Sequence, residues 1–226
     1  MKWASAISQN PELTEALAQT VKTISDGLGA EPPSLVVAFV SVGYDADLGS
    51  VPAILRTNFP DAVIVGCCGA GVIGDGKEVE DRLAVALTAG YLPDVCITPF
   101  RVPDEGFPSP DDPPGAWTDM IGVSEEVNPD FLVFMDSFSP PGQALLAGMD
   151  FAYPSAIKVG GISSGGTGPN SQVLYLDGEV FRSGAVGVAL SGKIKIDTVV
   201  AQGCRPLGEA KHVTRCHQNV LLEFGG

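Results

Sequence analysis

The sequence predicts an α/β protein in which two similar βαββ-type halves form mixed sheets covered by helices. Two short apolar runs, residues 34–41 and 130–137, are typical of buried strands. Each run is followed by apolar residues at helical spacing and then by an aromatic residue and a proline, at positions 59–60 and 153–154. Because proline clashes with the preceding helical turn, each pair predicts the end of a helix.

The same order of features continues after both prolines, with a second apolar strand, a glycine-rich segment and a third strand. Corresponding residues are 94 to 96 positions apart as far as the glycine-rich segments, and 103 positions apart afterwards. The extra length in the second copy matches a hairpin at residues 173–181. We interpret residues 34–92 and 130–192 as approximate internal repeats; the alternative is chance similarity between strands rich in valine and alanine.

Three further segments complete the predicted architecture. Residues 11–28 carry an apolar stripe at helical spacing, and the following Gly29 favours a helix that ends there. Residues 103–114 contain five prolines and four acidic residues, which predicts an exposed loop between the two halves. Residues 193–201 alternate between polar and apolar side chains and predict a strand.

The composition narrows the class of protein. The 226 residues are 45% hydrophobic and only 18% charged, which predicts a folded chain with a substantial core. The net charge is −14, so we expect no binding to nucleic acid or to anionic membranes. No apolar run approaches the ~20 residues of a membrane-spanning helix, and no secretory h-region follows the first residues. The five cysteines lack paired spacing, as in a reducing compartment, so we expect a cytoplasmic protein without membrane insertion.

Two motifs match known signatures but lack the structural context that each signature requires. Residues 69–74 match the G-x-G-x-x-G pattern of dinucleotide-binding folds, which needs a helix at this point. Residues 161–165 match the nucleophile elbow G-x-S-x-G of hydrolases, which also needs a helix after the serine. The turn signal at residues 75–77 and the glycines after Ser164 make both helices unfavourable. We therefore expect neither a nucleotide cofactor nor a serine hydrolase.

The cysteines suggest two other kinds of chemistry. They lack the C-x-x-C knuckle or histidine pair of a zinc site, and the adjacent Cys67 and Cys68 would point to opposite faces of a strand. We therefore interpret the cysteines as small buried thiols and expect no metal. Cys204 stays open as a nucleophile because the neighbouring Arg205 favours a thiolate, but no general base is identifiable nearby.

The glycine-rich segments are the strongest candidates for a binding site. Two equivalent segments at strand ends, one from each half, would face each other across a pseudo-twofold axis. Backbone amides that glycine leaves accessible form a pocket suited to a small anionic or zwitterionic molecule. The polar side chains best placed to orient such a molecule are Lys77, Glu78, Glu80, Arg82 and Arg205. The predicted ligand-binding residues are Cys67, Gly69, Gly71, Gly74, Lys77, Glu78, Gly160, Gly161, Ser163, Ser164, Gln202, Gly203, Cys204 and Arg205.

A set of segments spread over the chain carries a family resemblance. The segments are residues 3–6, 65–74, 77–80, 159–165, 184–192 and, most specifically, Gln202-Gly203-Cys204-Arg205-Pro206-Leu207-Gly208 with Val213 and Thr214. Together they are similar to the FIST family, and they extend from residue 2 to about residue 224.

The resemblance implies an intracellular sensory domain, which occurs alone or joined to signalling modules in bacteria and within F-box proteins in eukaryotes. It implies a small ligand such as an amino acid, and it carries over no catalytic residue. Family members usually continue into a C-terminal segment, of which residues 202–226 would be the truncated start. On this expectation the chain is cut short or a partner supplies the rest. No F-box precedes the first helix, so a ligase role would require another chain.

From these observations we expect a sensory domain that spans residues 1–226 and is not an enzyme. It would bind a small metabolite, such as an amino acid, between its halves and signal to a partner protein without a cofactor. Two alternatives stay open. One is an interaction module that recruits substrates for ubiquitin-dependent degradation through a ligase partner, with the glycines serving only packing. The other is an enzyme that uses Cys204.

Overall fold

A computed structural model describes residues 1–109, 111–139, 142–200, 208–217 and 220–225. The chain forms a mixed α/β protein, which confirms the predicted fold class. The first twelve strands, β1 to β12, are Lys2–Ser8, Leu35–Ser41, Val63–Gly69, Gly71–Gly74, Lys77–Glu80, Val85–Tyr91, Val95–Val102, Asp130–Met135, Lys158–Ile162, Leu174–Leu176, Glu179–Phe181 and Ala185–Gly192. The helices, α1 to α4, are Leu13–Leu28, Val51–Asn58, Pro114–Ile121 and Gly142–Ala152, and Val42–Ser50 and Glu125–Val127 form 3₁₀ turns.

Two sheets carry the fold of residues 1–196. Sheet I has six strands in the order β1–β6–β2–β3–β10–β11, and sheet II has four strands in the order β7–β12–β8–β9. The pairs β2–β3 and β8–β9 are parallel, and the other described pairs in both sheets are antiparallel. Strands β4 and β5 form a separate two-stranded hairpin.

Helices cover the outer face of each sheet. Leu17 and Leu55, from α1 and α2, pack with Ile64 of β3 in a core on the outer face of sheet I. Trp117 of α3 and Met149 of α4 form the corresponding core with strand residues of sheet II. Both α2 and α4 end directly before the aromatic–proline pairs at 59–60 and 153–154, which confirms the predicted helix ends.

The inner faces of the two sheets meet in a third apolar core. Leu35, Val65 and Leu174 of sheet I pack there with Val186 and Val188 of sheet II. Because successive side chains of a strand point to opposite faces, strands buried on both faces must be apolar at almost every position. This requirement explains the uninterrupted apolar runs that mark the strands in the sequence, and it gives residues 1–196 four layers: helices, sheet, sheet and helices.

The two sheets share a topology. The order β1–β6–β2–β3 in sheet I corresponds to β7–β12–β8–β9 in sheet II, with the same sequence of parallel and antiparallel pairs. This correspondence agrees with the interpretation of residues 34–92 and 130–192 as repeats. Common ancestry of the halves stays an interpretation.

A hairpin follows the glycine-rich segment in both halves. The hairpin alone therefore does not explain why the second half is longer than the first. That length lies in residues 163–173, which contain no helix or strand and precede β10. The two hairpins also pack differently. Hairpin β4–β5 lies against β1, β2 and β6, whereas β10–β11 pairs antiparallel with β3 and completes sheet I.

The predicted strand at residues 193–201 is wrong over its described part. Residues 193–200 are irregular, and residue 201 lies outside the described residues. Ile194 and Ile196 nevertheless pack against the core between the sheets. The alternating sequence pattern therefore reflects the packing of Ile194 and Ile196, although this segment lacks the backbone pairing that a strand requires.

One glycine in each half allows the parallel strands to approach. A Cβ on Gly66 would lie 1.9 Å from the carbonyl oxygen of Ala38, its partner in β2. A Cβ on Gly160 would lie 1.7 Å from the carbonyl oxygen of Val133, its partner in β8. Both distances are far shorter than any non-bonded contact, so a side chain at either position would force the two strands apart. The same constraint thus applies at corresponding positions of the two halves.

Residues 197–226 form a second, small unit. Its described residues include the antiparallel strands β13 (Val213–His217) and β14 (Val220–Phe224). Arg215 Nε lies 3.5 Å from Glu223 Oε2 across the pair, and both side chains are exposed.

We expect Gly160→Ala to lower the free energy of unfolding by about 1–3 kcal/mol, because the new methyl group must push β9 away from β8. Gly161→Ala is the matched control, since a Cβ on Gly161 meets no heavy atom within 4 Å. This control should change the free energy by no more than about 0.5 kcal/mol. Urea unfolding followed by circular dichroism measures both. Equal effects of the two variants would contradict the strand-spacing argument.

Candidate functional site

A large cleft opens between the inner faces of sheets I and II. Its volume is about 540 Å³, within the range of pockets that hold small molecules. We call it the inter-sheet cleft. Residues from β2, β3, β4 and β6 line one side, namely Val37, Phe39, Cys67, Cys68, Gly69, Gly71 and Thr88. Residues from β8, β9 and the segment after β9 line the other side, namely Leu132, Phe134, Val159, Gly160, Gly161, Ile162 and Ser164.

The walls of the cleft are mostly apolar. Phe39 and Phe134 meet edge to face across the two sheets, with their ring centroids 5.3 Å apart, and mark the point where the sheets touch. None of the lining residues has a carboxylate, ammonium or guanidinium group. The side-chain polar groups that face the cleft are the hydroxyls of Thr88 and Ser164 and the Cys67 thiol. The cleft therefore favours an apolar body with a small polar end.

The two glycine-rich segments converge at the rim of this cleft, as the sequence predicts. The Ala70 N–H donates a hydrogen bond of 3.0 Å to Ser164 Oγ, which joins the segment after β3 to the segment after β9. Gly165 packs beside this bond, where an added Cβ would lie 2.7 Å from Val42 Cγ1 and 3.1 Å from the Ala70 backbone. Its φ of +86° also requires glycine. The two halves are thus connected at the edge of the proposed binding site.

The predicted ligand-binding residues divide into groups. Six of them line the cleft: Cys67, Gly69, Gly71, Gly160, Gly161 and Ser164. Three others lie in hairpin β4–β5 outside the lining: Gly74 packs against Ala86, and Lys77 and Glu78 are exposed. The predicted orienting residues Glu80 and Arg82 are exposed as well and do not line the cleft. The charged side chains of Lys77, Glu78, Glu80 and Arg82 are therefore not part of the described walls. Gln202, Gly203, Cys204 and Arg205 lie outside the described residues.

Ser163 is buried and turned away from the cleft. Its hydroxyl donates to the Met135 carbonyl oxygen over 3.0 Å and also contacts Gln172 Oε1. The Ser137 N–H donates to the same Gln172 oxygen over 3.2 Å.

No helix follows Ser163, and residues 71–74 form a strand where a dinucleotide-binding motif needs a helix. Both motifs therefore lack their structural context, as the sequence predicts.

The adjacent thiols of β3 face opposite cores, which confirms the expectation from strand geometry. Cys67 packs in the core between the sheets, and Cys68 packs under α1 and α2. Burial, with a smaller contribution from the neighbouring Cys68, raises the pKa of Cys67 to about 12. Burial also raises the pKa of Cys68, whose sulfur accepts a hydrogen bond of 3.1 Å from the Val173 N–H. Both groups are neutral thiols at neutral pH, so neither is an activated nucleophile.

A second, much smaller cavity of about 20 Å³ lies beside Asp136 at the end of β8. Asp136 is buried, and its Oδ2 accepts hydrogen bonds from the Phe138 N–H at 3.1 Å and from Ser139 Oγ at 2.9 Å. Its Oδ1 has no hydrogen-bond partner among the described residues. A space of this size accommodates about one water molecule, so a metabolite does not fit there.

Sequence reasoning missed the side chains that form most of the cleft walls. Leu132 and Phe134 face the cleft because Phe131 and Val133 of the same strand face the helices. This alternation is the signal that could have found them. The alternation was not decisive because both faces of β8 are apolar. The type of an apolar residue does not show whether it packs against a helix or lines an open cleft.

The described residues also limit two other kinds of site. Among them, no group of three or more His, Cys, Asp and Glu side chains is arranged to hold a metal ion. No helix in the described ranges is long and apolar enough to cross a membrane.

The fold and the cleft define an α/β domain built from two topologically equivalent halves around a shared hollow. The family model of the FIST N domain matches residues 34–226. The chain belongs to the FIST family, whose domains are sensory domains.

Four curated relatives are similar over the full chain, and two of them are described here. One is an uncharacterized protein of Mycobacterium tuberculosis, 28% identical over 226 residues, and the other is an uncharacterized protein of Mycobacterium bovis, 28% identical over 229 residues. The alignments cover 100% of this chain but 57% and 56% of the relatives. The chain therefore spans little more than half the length of the curated relatives it matches.

We expect the thiols to divide into two reactivity classes. A disulfide reagent at neutral pH should modify the exposed Cys96 and Cys216 in the native protein, and should modify the buried Cys67 and Cys68 only after unfolding in guanidinium. Mass spectrometry of proteolytic fragments identifies the modified residues over time. Modification of Cys67 at the rate of Cys96 would show that the cleft thiol is accessible and activated.

Proposed function

We propose that the chain is a sensory domain that binds a small metabolite in the inter-sheet cleft and transmits occupancy of the cleft to a partner protein. The observation that carries this proposal is the convergence of the two glycine-rich segments on one open cleft, joined by the bond from Ala70 to Ser164. Family membership supports the sensory role.

The walls favour a ligand with an apolar body and one small polar end. A strongly charged molecule deep in the cleft would lose its hydration without gaining an opposite charge from the described walls, which contain no charged side chain. Phe39 and Phe134 offer aromatic surface to an apolar body. The Ser164 hydroxyl and backbone groups of the glycines offer hydrogen bonds near the rim. An amino acid with an apolar side chain suits this arrangement, because its zwitterionic end can stay near the solvent.

The position of the cleft also suggests how occupancy is transmitted. One wall belongs to each sheet, so a bound molecule contacts both halves of residues 1–196 at once. A ligand shifts a conformational equilibrium only by its difference in affinity for the two states. A molecule that spans both walls binds best at one spacing of the sheets, and a partner that recognises this spacing receives the signal.

We infer that the cleft is a binding site without catalysis. The one thiol that faces it from the core between the sheets, Cys67, is neutral, and no histidine or carboxylate lines the described walls to serve as a base. Nucleophilic catalysis requires such a pair within hydrogen-bonding distance.

We expect at least one apolar amino acid, or a related apolar metabolite, to stabilise the protein in a thermal-shift panel and to bind in isothermal titration. At one hundred times the dissociation constant, a bound ligand adds about 2.7 kcal/mol to the free energy of unfolding. Val159→Trp should weaken this binding by about tenfold or more, because the larger ring occupies the cleft.

Val127→Trp is the control for the ligand experiment. Val127 is exposed like Val159 but lies in the 3₁₀ turn Glu125–Val127, which does not line the cleft. This variant should bind with the affinity of the unchanged protein. No response across the panel, or equal effects of the two tryptophans, would overturn the proposal.

A further inference from the structure

The outer edge of β9 carries no strand among the described residues. In a parallel ladder, alternate residues direct their backbone groups to the neighbouring strand. The Phe131 N–H donates to the Ile157 carbonyl oxygen over 2.8 Å, and the Ser163 N–H donates to the Met135 carbonyl oxygen over 2.8 Å. The odd-numbered residues of β9 therefore bond to β8. The backbone groups of the even-numbered residues point away from the sheet, at Lys158, Gly160 and Ile162.

The corresponding edge of β3 is covered by the hairpin β10–β11. The Asp177 N–H donates to the Ile64 carbonyl oxygen over 2.7 Å, and the Cys68 N–H donates to the Val173 carbonyl oxygen over 2.9 Å. Between these bonds, Tyr175 pairs with Gly66. Ile64, Gly66 and Cys68 precede Lys158, Gly160 and Ile162 by 94 positions each. Strand β9 thus presents the pattern of donors and acceptors that binds a strand elsewhere in the same molecule.

Apolar side chains are exposed on β9 and on α4 of the second half. Val159 and Ile162 of β9 are 39% and 62% exposed, and Leu146 and Phe151 of α4 are 40% and 53% exposed. In the first half, α2 packs against the hairpin β10–β11. Helix α4 is the counterpart of α2, and Leu146, which follows the buried Pro52 of α2 by 94 positions, is open to solvent. The unpaired backbone groups of an edge strand are a favourable site for pairing with another chain, and the Lys158 ammonium on this strand is held by Asp150.

The side chain of α4 that would meet the turn of a docked hairpin is acidic, whereas its counterpart in α2 is basic. Arg56 of α2 donates to the Asp177 carboxylate at the turn of β10–β11, over 2.6 Å. The residue 94 positions after Arg56 is Asp150, which is exposed and lies 2.9 Å from Lys158 Nζ. A segment docked on β9 would meet a carboxylate where β10–β11 meets a guanidinium. A basic residue at its turn is therefore favoured, and the protein's net charge of −14 adds to this preference.

We propose that β9 is a docking site for an extended segment of a partner polypeptide, which joins sheet II as a fifth strand antiparallel to β9. The segment carries apolar side chains at alternate positions and a basic residue close to Asp150. A second copy of this chain is a poorer occupant. Two five-residue edges bury far less than the ~1,000 Å² of a stable interface, and both copies carry the same net charge. Strand addition of this kind is a general mode of peptide recognition. Because Val159, Gly160, Gly161 and Ile162 of β9 also line the inter-sheet cleft, the edge is tested without a metabolite present.

The probe is a fluorescein-labelled peptide with the sequence of residues 173–181 and lysine in place of Asp177. We expect saturable binding in fluorescence anisotropy, and binding at least about threefold weaker for the peptide that keeps the aspartate. The preference should reverse in the protein variant Asp150→Lys. A peptide of the same composition in scrambled order should not bind.

Two variants at Ile162 separate backbone pairing from side-chain contact. Ile162→Pro removes an outward N–H without removing a bond to β8, as proline is tolerated at the solvent side of edge strands. This variant should weaken binding by about tenfold or more, whereas Ile162→Ala, which keeps the N–H, should weaken it by less than about threefold. Thermal unfolding of both variants checks that they are folded.

Hydrogen exchange of the unchanged protein gives a second measurement that needs no variant. The amides of Lys158, Gly160 and Ile162 should exchange rapidly in the free protein and slowly with the peptide bound, while those of Val159 and Gly161 are protected in both states. Absence of binding, protection elsewhere, or equal affinities of the two Ile162 variants would overturn the proposal. Because no metabolite is present in these titrations, their failure leaves the ligand proposal standing, and failure of the metabolite panel leaves this one standing.

Discussion

The packing of the two inner sheet faces is the constraint on which the rest of residues 1–196 depends. Val65 and Leu174 of one sheet are fully buried against Val186 and Val188 of the other. Each such side chain contributes roughly 1.5–3 kcal/mol by leaving water. Where the inner positions are large and apolar, the sheets close on each other. Beside this packed region lies the inter-sheet cleft, whose walls include the small residues Thr88, Gly160 and Gly161.

The chemistry of the cleft follows from this origin. A hollow between two apolar faces has apolar walls, and its polar groups come from the strand ends and from backbone that glycine leaves bare. The charged residues of the hairpin β4–β5 lie outside the walls because the hairpin packs on β1, β2 and β6. For the ligand that we propose, these walls offer shape and a few hydrogen bonds near the rim, rather than paired charges.

Local patterns in the sequence were sufficient to predict the helices and strands, but they were insufficient to predict which distant strands pair. The apolar runs at 34–41 and 130–137 and the prolines at 60 and 154 predicted strands and helix ends, because burial and proline act within a few residues. The pairing of Leu174 with Cys67 could not be predicted, since nothing in a three-residue strand specifies a partner more than one hundred positions away. The convergence of the glycine-rich segments was predictable only because the two halves repeat the same order of features.

The hairpin β10–β11 crosses from the second half to the sheet of the first. Besides its pairing with β3, it places the ring of Phe181 4.3 Å from the guanidinium carbon of Arg101 in β7. Neither half is thus a self-sufficient module: a fragment that stops after β7 would leave β3 bare and lack the residues that finish its sheet. Recombination or gene fission between the halves would therefore remove two of the six strands of sheet I.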